Sequence, residues 1–597
     1  MTEYTAPLRD MHFLLHDMGG LAQVREMPGF EEADGDLVEA ILEEASRFAS
    51  NVLSPLNQSG DTEKASWNAT GVKMPKGWPE AHQLFSQGGW ASLSAPAEFG
   101  GQQLPQLVGA LVEEIWNGAN LAYTLFPMLI RCTQQVIALH GTDQQKAMFL
   151  PHLVSGKWGG TMALTEPHAG SDVGAIRTKA VRQPDGTYRL SGQKIFITYG
   201  DHDLTENIVH LVLARVVGAP EGVKGISLFI VPKILPNEDG SLGLRNDVHC
   251  ISTEHKLGIH ASPTCVMAFG ENEGAVGYLV GEENQGIQNM FLMMNAARFA
   301  VGLEAIGISE RAFQRAREYA NERIQGTEIG SNSEERVPII KHPEIRRQLM
   351  AMKTRIEAMR ALSCTIAISM DIAASHGDPK IRNYHQQMVE LLTPISKGWF
   401  TENAVDITSQ GIQIHGGVGY IEETGAAQYY RDSRILPIYE GTTGIQANDL
   451  VWRKVLRDSG SSIKRLTDEM REVQLALEAQ TNQNLVSISW SLNDSIENLL
   501  SATDFILEIS PYNQKRVAAT ATSFLELFGL VCGGWQMARS ALVASKKPKE
   551  NKHDTFYTGK INSARFYADH YLSKTAHLSK LITSGSMAVL EGEDLFK

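Results

Sequence analysis

Cysteine is scarce and scattered in this chain of 597 residues. The five, Cys132, Cys250, Cys265, Cys364 and Cys532, include no C-x-x-C pair. That argues against a disulfide framework and against a thiolate metal site, and it points to a reducing, cytoplasmic setting. A positively charged N-terminal region followed by a long apolar stretch is missing, so no secretory signal is expected. No apolar run reaches the roughly 18 residues of a membrane span. Positive charge is in deficit: 54 Lys and Arg stand against 68 Asp and Glu, a formal net charge of −14. Sequence-independent nucleic-acid binding needs a basic face and is disfavoured. The 18 histidines form no H-E-x-x-H and no His/Cys cluster, so no metal is expected. There is no P-loop and no repeat of 20–50 residues.

What is present is an ordinary folded composition, 43% hydrophobic and 20% charged, over a length that calls for several domains. An N-terminal extension covers residues 1–36. Residues 37–156 read as helical, with Leu37, Ile41, Ala45 and Phe48 as one apolar row. Residues 157–282 read as a β domain, built on Tyr188–Ser191, Ile195–Thr198, Ile208–Val217 and Gly225–Pro232. Residues 283–458 return to long helical patterns. Met290, Met293 and Met294 there read as core, and Gln325–Pro338 reads as a loop. Ser459-Gly460-Ser461-Ser462 reads as a linker to an additional helical domain, 459–597, whose expected core includes Leu475, Leu477, Leu499, Leu500, Phe505, Ile506, Phe524 and Leu527.

One carboxylate stands out. In Arg431-Asp432-Ser433-Arg434-Ile435-Leu436-Pro437-Ile438-Tyr439-Glu440-Gly441-Thr442-Thr443, Glu440 lies between an apolar run and a Gly-Thr-Thr turn. Held against Ile438 and Tyr439 it would lose solvation, which raises a carboxyl pKa and suits it to take a proton from a weakly acidic carbon. Gly441 lets another molecule approach the backbone closely. Two further segments flank a β-rich stretch: Met162-Ala163-Leu164-Thr165-Glu166-Pro167-His168-Ala169-Gly170-Ser171-Asp172 and Gly192-Gln193-Lys194-Ile195-Phe196-Ile197-Thr198.

In kind, order and placement these three segments resemble the acyl-CoA dehydrogenase family of flavoenzymes, over most of the chain from about Leu37 to about Arg457. The resemblance implies an α+β multidomain protein: an N-terminal helical domain, a middle β-barrel and a C-terminal four-helix bundle, here with extra C-terminal helices. It implies conversion of an acyl-CoA to a trans-2-enoyl-CoA, Glu440 removing the α proton and N5 of FAD accepting the β hydride. The Glu440 N–H would polarise the thioester carbonyl. Ala163, Leu164, Thr165, Phe196, Ile197, Thr198 and Thr442 are implied at the flavin, and Ser171 near both the flavin and the CoA chain. Arg323, Gln413, Gly416 and Gly417 are implied at the nucleotide end across a subunit interface. Asn295, where many relatives carry Asp, and Arg298 are implied beside the pantetheine, with Gly441 also on the substrate side. Implied partners are an electron-transfer flavoprotein and a second copy of the chain in a homodimer. Both terminal extensions resemble a bacterial subgroup for which 3-methylmercaptopropionyl-CoA is one candidate substrate beside fatty acyl-CoAs. Three alternatives remain open: an acyl-CoA oxidase that uses oxygen, a non-catalytic flavin-bearing relative that binds DNA, and a membrane-surface enzyme using the C-terminal extension, for which no strongly basic amphipathic helix is found.

Overall fold

The computed structural model describes residues 4–547, 555–592 and 595. The chain divides into two compact units, each gathered from separated stretches. A helical unit comprises Met1–Ala45, Gln106–Gly118 and Val301–Lys597, and a β unit comprises Ser46–Pro105 and Ala119–Ala300.

Eight strands form the heart of the β unit: β1 (Trp158–Ala163), β2 (Lys179–Arg182), β3 (Tyr188–Thr198), β4 (Asn207–Val216), β5 (Ile226–Pro232), β6 (Val248–Thr253), β7 (Thr264–Phe269) and β8 (Ala275–Leu279). They run in the order β6-β7-β3-β8-β5-β4-β1. Strand β2 pairs with both β3 and β4 and so closes the sheet into a small barrel. Every residue of β5, and all of β4 but Arg215, is buried, which is why both are predominantly apolar rather than alternating. The helices α1 (Leu121–His140) and α2 (Asp143–Val154) precede the barrel. Asn120 caps α1 through Tyr123 N (3.1 Å), and Thr142 and Gln145 form a capping box on α2.

The helical unit is built on α3 (Pro343–Ser375) and α4 (Pro379–His415), joined by a turn too short for anything but side-by-side packing. The helices α5 (Ser461–Glu478), α6 (Gln483–Ile509), α7 (Gln514–Ser545) and α8 (Phe556–His570) pack on one another, and α7 and α8 pack on α3. The C-terminal helices therefore share a unit with the bundle. A buried charge cluster binds this unit to its N-terminal segment. On α3, the Arg360 guanidinium donates to Glu114 (2.6 Å) and Glu310 (2.8 Å) and lies 3.7 Å from Asp10. Lys560 of α8 pairs with Asp10 (2.5 Å) and Glu357 (3.0 Å). Each buried charge has a partner of opposite sign, as the cost of burying it requires.

Local expectations shift in five places. In the first long helix, Gly35–Phe48, Ala45 and Phe48 are buried as expected, but the start of the row is displaced by one residue: Val38 and Leu42 are buried, whereas Leu37 is 42% exposed. Both rows fit the helical repeat, and packing alone chooses between them. Leu475 is 60% exposed while Leu477 is buried. Gln325–Pro338 carries a small hairpin, Ile324–Thr327 against Arg336–Pro338. The 459–462 linker is a tight turn in which Asp458 accepts from Ser462 N at 2.9 Å. Two helices, Gly286–Glu322 and Gln514–Ser545, are long and apolar enough to cross a membrane, contrary to expectation, but 76% and 72% of their apolar windows are buried inside the fold.

Candidate active site

The Thr165 segment leaves β1 and is pinned at its base by Glu166. This buried carboxylate accepts from Lys194 Nζ (2.8 Å), Thr178 Oγ1 (2.6 Å), Thr178 N (3.0 Å) and Arg177 N (2.7 Å). Lys194, also buried, donates a second bond to the Leu164 carbonyl (2.8 Å), and Ile195 N donates to the Thr165 carbonyl (2.9 Å). Loop and strand are thereby locked side by side, with the exposed Ser171 carried on the loop. Burial pulls the Lys194 ammonium down to about 8 even beside Glu166. Burial pushes Glu166 the other way, but the Lys194 charge and the four bonds hold it below the ordinary carboxylate range.

The pairing of β3 with β7 slips between Lys194 and Ile197, where Cys265 faces Ile197 and Met267 faces Lys194. Two residues, Ile195 and Phe196, therefore oppose one, a β-bulge. Phe196 takes the extra position with φ +59° and 58% exposure. A bulky residue in the left-handed region is strained, and such outliers cluster at functional sites. Thr165 and Thr198, both half-buried, lie on the two locked segments, and among the described residues neither hydroxyl has a hydrogen-bond partner. The Ile197 and Ala163 side chains are buried, so neither offers more than backbone. The Leu164 carbonyl is already taken by Lys194. On the helix Gly286–Glu322, Arg298 is buried and donates to Asn295 Oδ1 at 3.3 Å. Met290 and Met293 are core, as their spacing suggested, whereas Met294 is only half-buried.

In the helical unit Glu440 sits in the loop between the helices Ala426–Ser433 and Thr443–Asn448. Its φ is +53°. The loop is held largely through its carbonyls: Leu436 O accepts from buried Lys397 (2.8 Å), and Glu440 O and Gly441 O accept from Gln446 Nε2 (3.3 Å each). Gly441 has φ +88°, and a Cβ there would meet Gln446 Nε2 at 2.7 Å. Thr442 caps the next helix through Ile445 N (3.4 Å), so its hydroxyl is in structural use. The dry wall expected from Ile438 is absent: Ile438 is 47% exposed and Glu440 half-buried, because the run turns its apolar face through Leu436 and Pro437 instead. The neighbouring Tyr439 is half-buried, with its ring tip turned inward to a buried carboxylate. Burial first, then the carboxylates of Glu304 and Glu440, push its phenol well above the usual range, and it donates to Glu304 Oε2.

Arg323 ends the helix Gly286–Glu322, exposed, and donates to Gln325 Oε1 (3.1 Å). Gln413, Gly416 and Gly417 are likewise exposed at the end of α4. Gly416 breaks that helix at φ +65°, with open space where a Cβ would stand. Among the described residues no group of three or more His, Cys, Asp or Glu could hold a metal ion. Sequence reasoning missed Glu166, Lys194 and Glu304. The available signal was an acid or a base set in apolar surroundings, as Glu304 is in Ala300-Val301-Gly302-Leu303-Glu304-Ala305-Ile306.

Comparison with known proteins bears on these segments. Residues 36–157, 161–271 and 284–454 match the N-terminal, middle and C-terminal domain descriptions of acyl-CoA dehydrogenase, and residues 466–592 match one termed acetyl-CoA dehydrogenase C-terminal like. The chain is 44% identical over 583 residues to a 3-methylmercaptopropionyl-CoA dehydrogenase of Ruegeria pomeroyi, covering 98% of each. It is 33% identical over 610 residues to a broad-specificity linear acyl-CoA dehydrogenase of Mycobacterium tuberculosis, covering 99% of each. A Bacillus anthracis acyl-CoA dehydrogenase, solved with FAD, shares the fold at a TM-score of 0.74 and 20% identity, over 96% of this chain and 91% of that one.

Proposed function

Because this chain belongs to the acyl-CoA dehydrogenase family of oxidoreductases, we propose that it is FAD-dependent and desaturates an acyl-CoA thioester between its α and β carbons, with Glu440 as the base. The residues suit FAD. Phe196 offers an aromatic face at a rigid bulge, Thr165 and Thr198 offer hydroxyls on the neighbouring segments, and Arg323 with the open Gly416-Gly417 backbone suits a diphosphate and adenine end. When bound, FAD supplies the acceptor for the β hydrogen and its bonding electrons. The chain does the rest. The Glu440 carboxylate takes the α proton, and its N–H, fixed by the left-handed turn, polarises the thioester carbonyl so that charge can build there. Gly441 leaves room for the thioester to come close.

The observation that carries this reading is the Glu440 loop: a half-buried carboxylate in a strained left-handed conformation, on a loop whose carbonyls are bound by Lys397 and Gln446. The substrate we propose is 3-methylmercaptopropionyl-CoA. The full-length similarity to the Ruegeria pomeroyi enzyme supports it over longer linear acyl groups. We assign the acceptor role to an electron-transfer flavoprotein and the working state to a homodimer, in keeping with the exposed Arg323 and Gly416-Gly417.

The test is anaerobic. Acyl-CoAs of graded length, with 3-methylmercaptopropionyl-CoA among them, are added to the purified yellow protein while flavin absorbance is followed. Wild type should bleach, fastest with the thioether substrate, and Glu440→Gln should lose about 10²–10⁴-fold in rate. A yellow protein that no acyl-CoA bleaches would overturn the reading. Hydrogen peroxide formed in step with substrate during aerobic turnover would replace the dehydrogenase with an oxidase.

A further inference from the structure

A glutamate has no intrinsic preference for φ +53°, and the residue that follows, Gly441, is the most permissive in the chain. The carbonyl bonds from Gln446 are long, at 3.3 Å. The residue that precedes Glu440 is fixed far more firmly. Tyr439 N donates to Ile435 O (3.1 Å), and the Tyr439 phenol donates to Glu304, a carboxylate that is itself buried. Tyr439 is thus held at both ends, backbone and ring tip, with its hydroxyl in a charge-assisted bond of the strong kind. Glu304 stands in the middle of an apolar helix, where a carboxylate is costly unless it has a fixed task.

We propose that Glu304 is a positioning residue for the desaturation reaction: through the Tyr439 hydroxyl it anchors the peptide that carries Glu440. The inference rests on Glu440 being the base. Glu304 touches neither substrate nor flavin in this scheme. Its contribution is to shrink the range of orientations open to the Glu440 carboxylate and N–H, which is the ordering effect that speeds a reaction without tightening substrate binding.

The experiment uses the FAD-loaded full chain in anaerobic rapid-mixing reduction, with Tyr439→Phe, Glu304→Ala, Glu304→Gln and the Tyr439→Phe/Glu304→Ala pair. Each variant is first checked for flavin content and circular dichroism. Tyr439→Phe, which keeps the ring and volume, covers the case in which Glu304→Ala does not fold. The reduction rate at saturating acyl-CoA should fall about tenfold or more in Tyr439→Phe and Glu304→Ala, with the half-saturating concentration changed less than about threefold. The double variant should be no slower than the worse single one, since both break one bond. Glu304→Gln, which keeps an acceptor for the phenol, should recover most of the rate. Wild-type speed in Tyr439→Phe, or losses that multiply in the double variant, would overturn the anchor. If wild type itself is not bleached, the failure lies with the parent reading of Glu440.

Discussion

Phe196 and Glu440 share a backbone conformation, at φ +59° and +53°, and are kept in it by different means. Phe196 is one residue of an eleven-residue strand, and the slip in β-pairing forces the left-handed turn. Its neighbours Lys194 and Ile195 are tied to the Leu164-Thr165-Glu166 loop by a buried ion pair and backbone bonds. Glu440 has no ladder. Its loop is bound by individual side chains, among them Lys397, Gln446 and Glu304, the last acting through Tyr439. The comparison separates two designs for a strained residue. A sheet spreads the cost over a cooperative structure, which suits a platform for a flat cofactor. A loop concentrates it in a few removable bonds, which suits a group that must be placed to a fraction of an ångström.

Each design can be broken separately. The largest effect on stability should come from Lys194→Met, which leaves Glu166 charged and unpaired in a buried place at a cost of about 3–5 kcal/mol. Calorimetry should show the loss, and Glu166→Gln/Lys194→Met together should restore much of it, because two neutral groups replace a pair. The pH dependence follows from Glu166. Its folded pKa is lowered, so its contribution is present above the ordinary carboxylate range and is lost as pH falls through the folded value. Wild type and the double variant should therefore converge in acid, and a stability gap that stays constant down to unfolding would contradict the assignment.

Gly441→Ala comes next. The new methyl meets Gln446 Nε2 and an L-residue is strained at φ +88°, together about 1–3 kcal/mol. Flavin content should stay intact while the reduction rate drops, since the damage is confined to the loop. A variant that loses flavin instead would mean that the two designs are not independent. Phe196→Gly should have the smallest effect and opposite signs in two assays. Relief of the left-handed strain is worth about 1 kcal/mol and should raise the melting temperature of the FAD-free protein, whereas loss of the ring should speed FAD release.

The same contrast explains what could be read from the amino-acid sequence. The alternation of helical and β-rich stretches was legible because each leaves a local pattern, whereas the closed barrel was implied only by the family resemblance of a few runs of residues. Phase was not legible: Leu37 and Val38, or Leu475 and Leu477, satisfy one periodicity equally well until a partner surface selects among them. The bulge at Phe196 was hidden because Ile195-Phe196-Ile197 reads as plain strand, and no glycine marks the left-handed position. Glu166 and Lys194 lie 28 residues apart, and only the fold reveals that they satisfy each other. Ile438 misled for a related reason: an apolar neighbour in sequence does not have to turn inward.

The Asp10–Lys560 bridge carries a consequence for how the molecule is made. A ribosome releases Asp10 some 550 positions before the lysine that neutralises it. Throughout synthesis Asp10 and Glu357 lack that cation, and Tyr4 waits for Glu310 and Arg360 to enclose it. The barrel, complete once residue 300 has emerged, has no such debt to later sequence. A growing chain must therefore leave Asp10 to water while some 550 further residues are made, and the helical unit cannot complete this charge cluster until Lys560 has emerged.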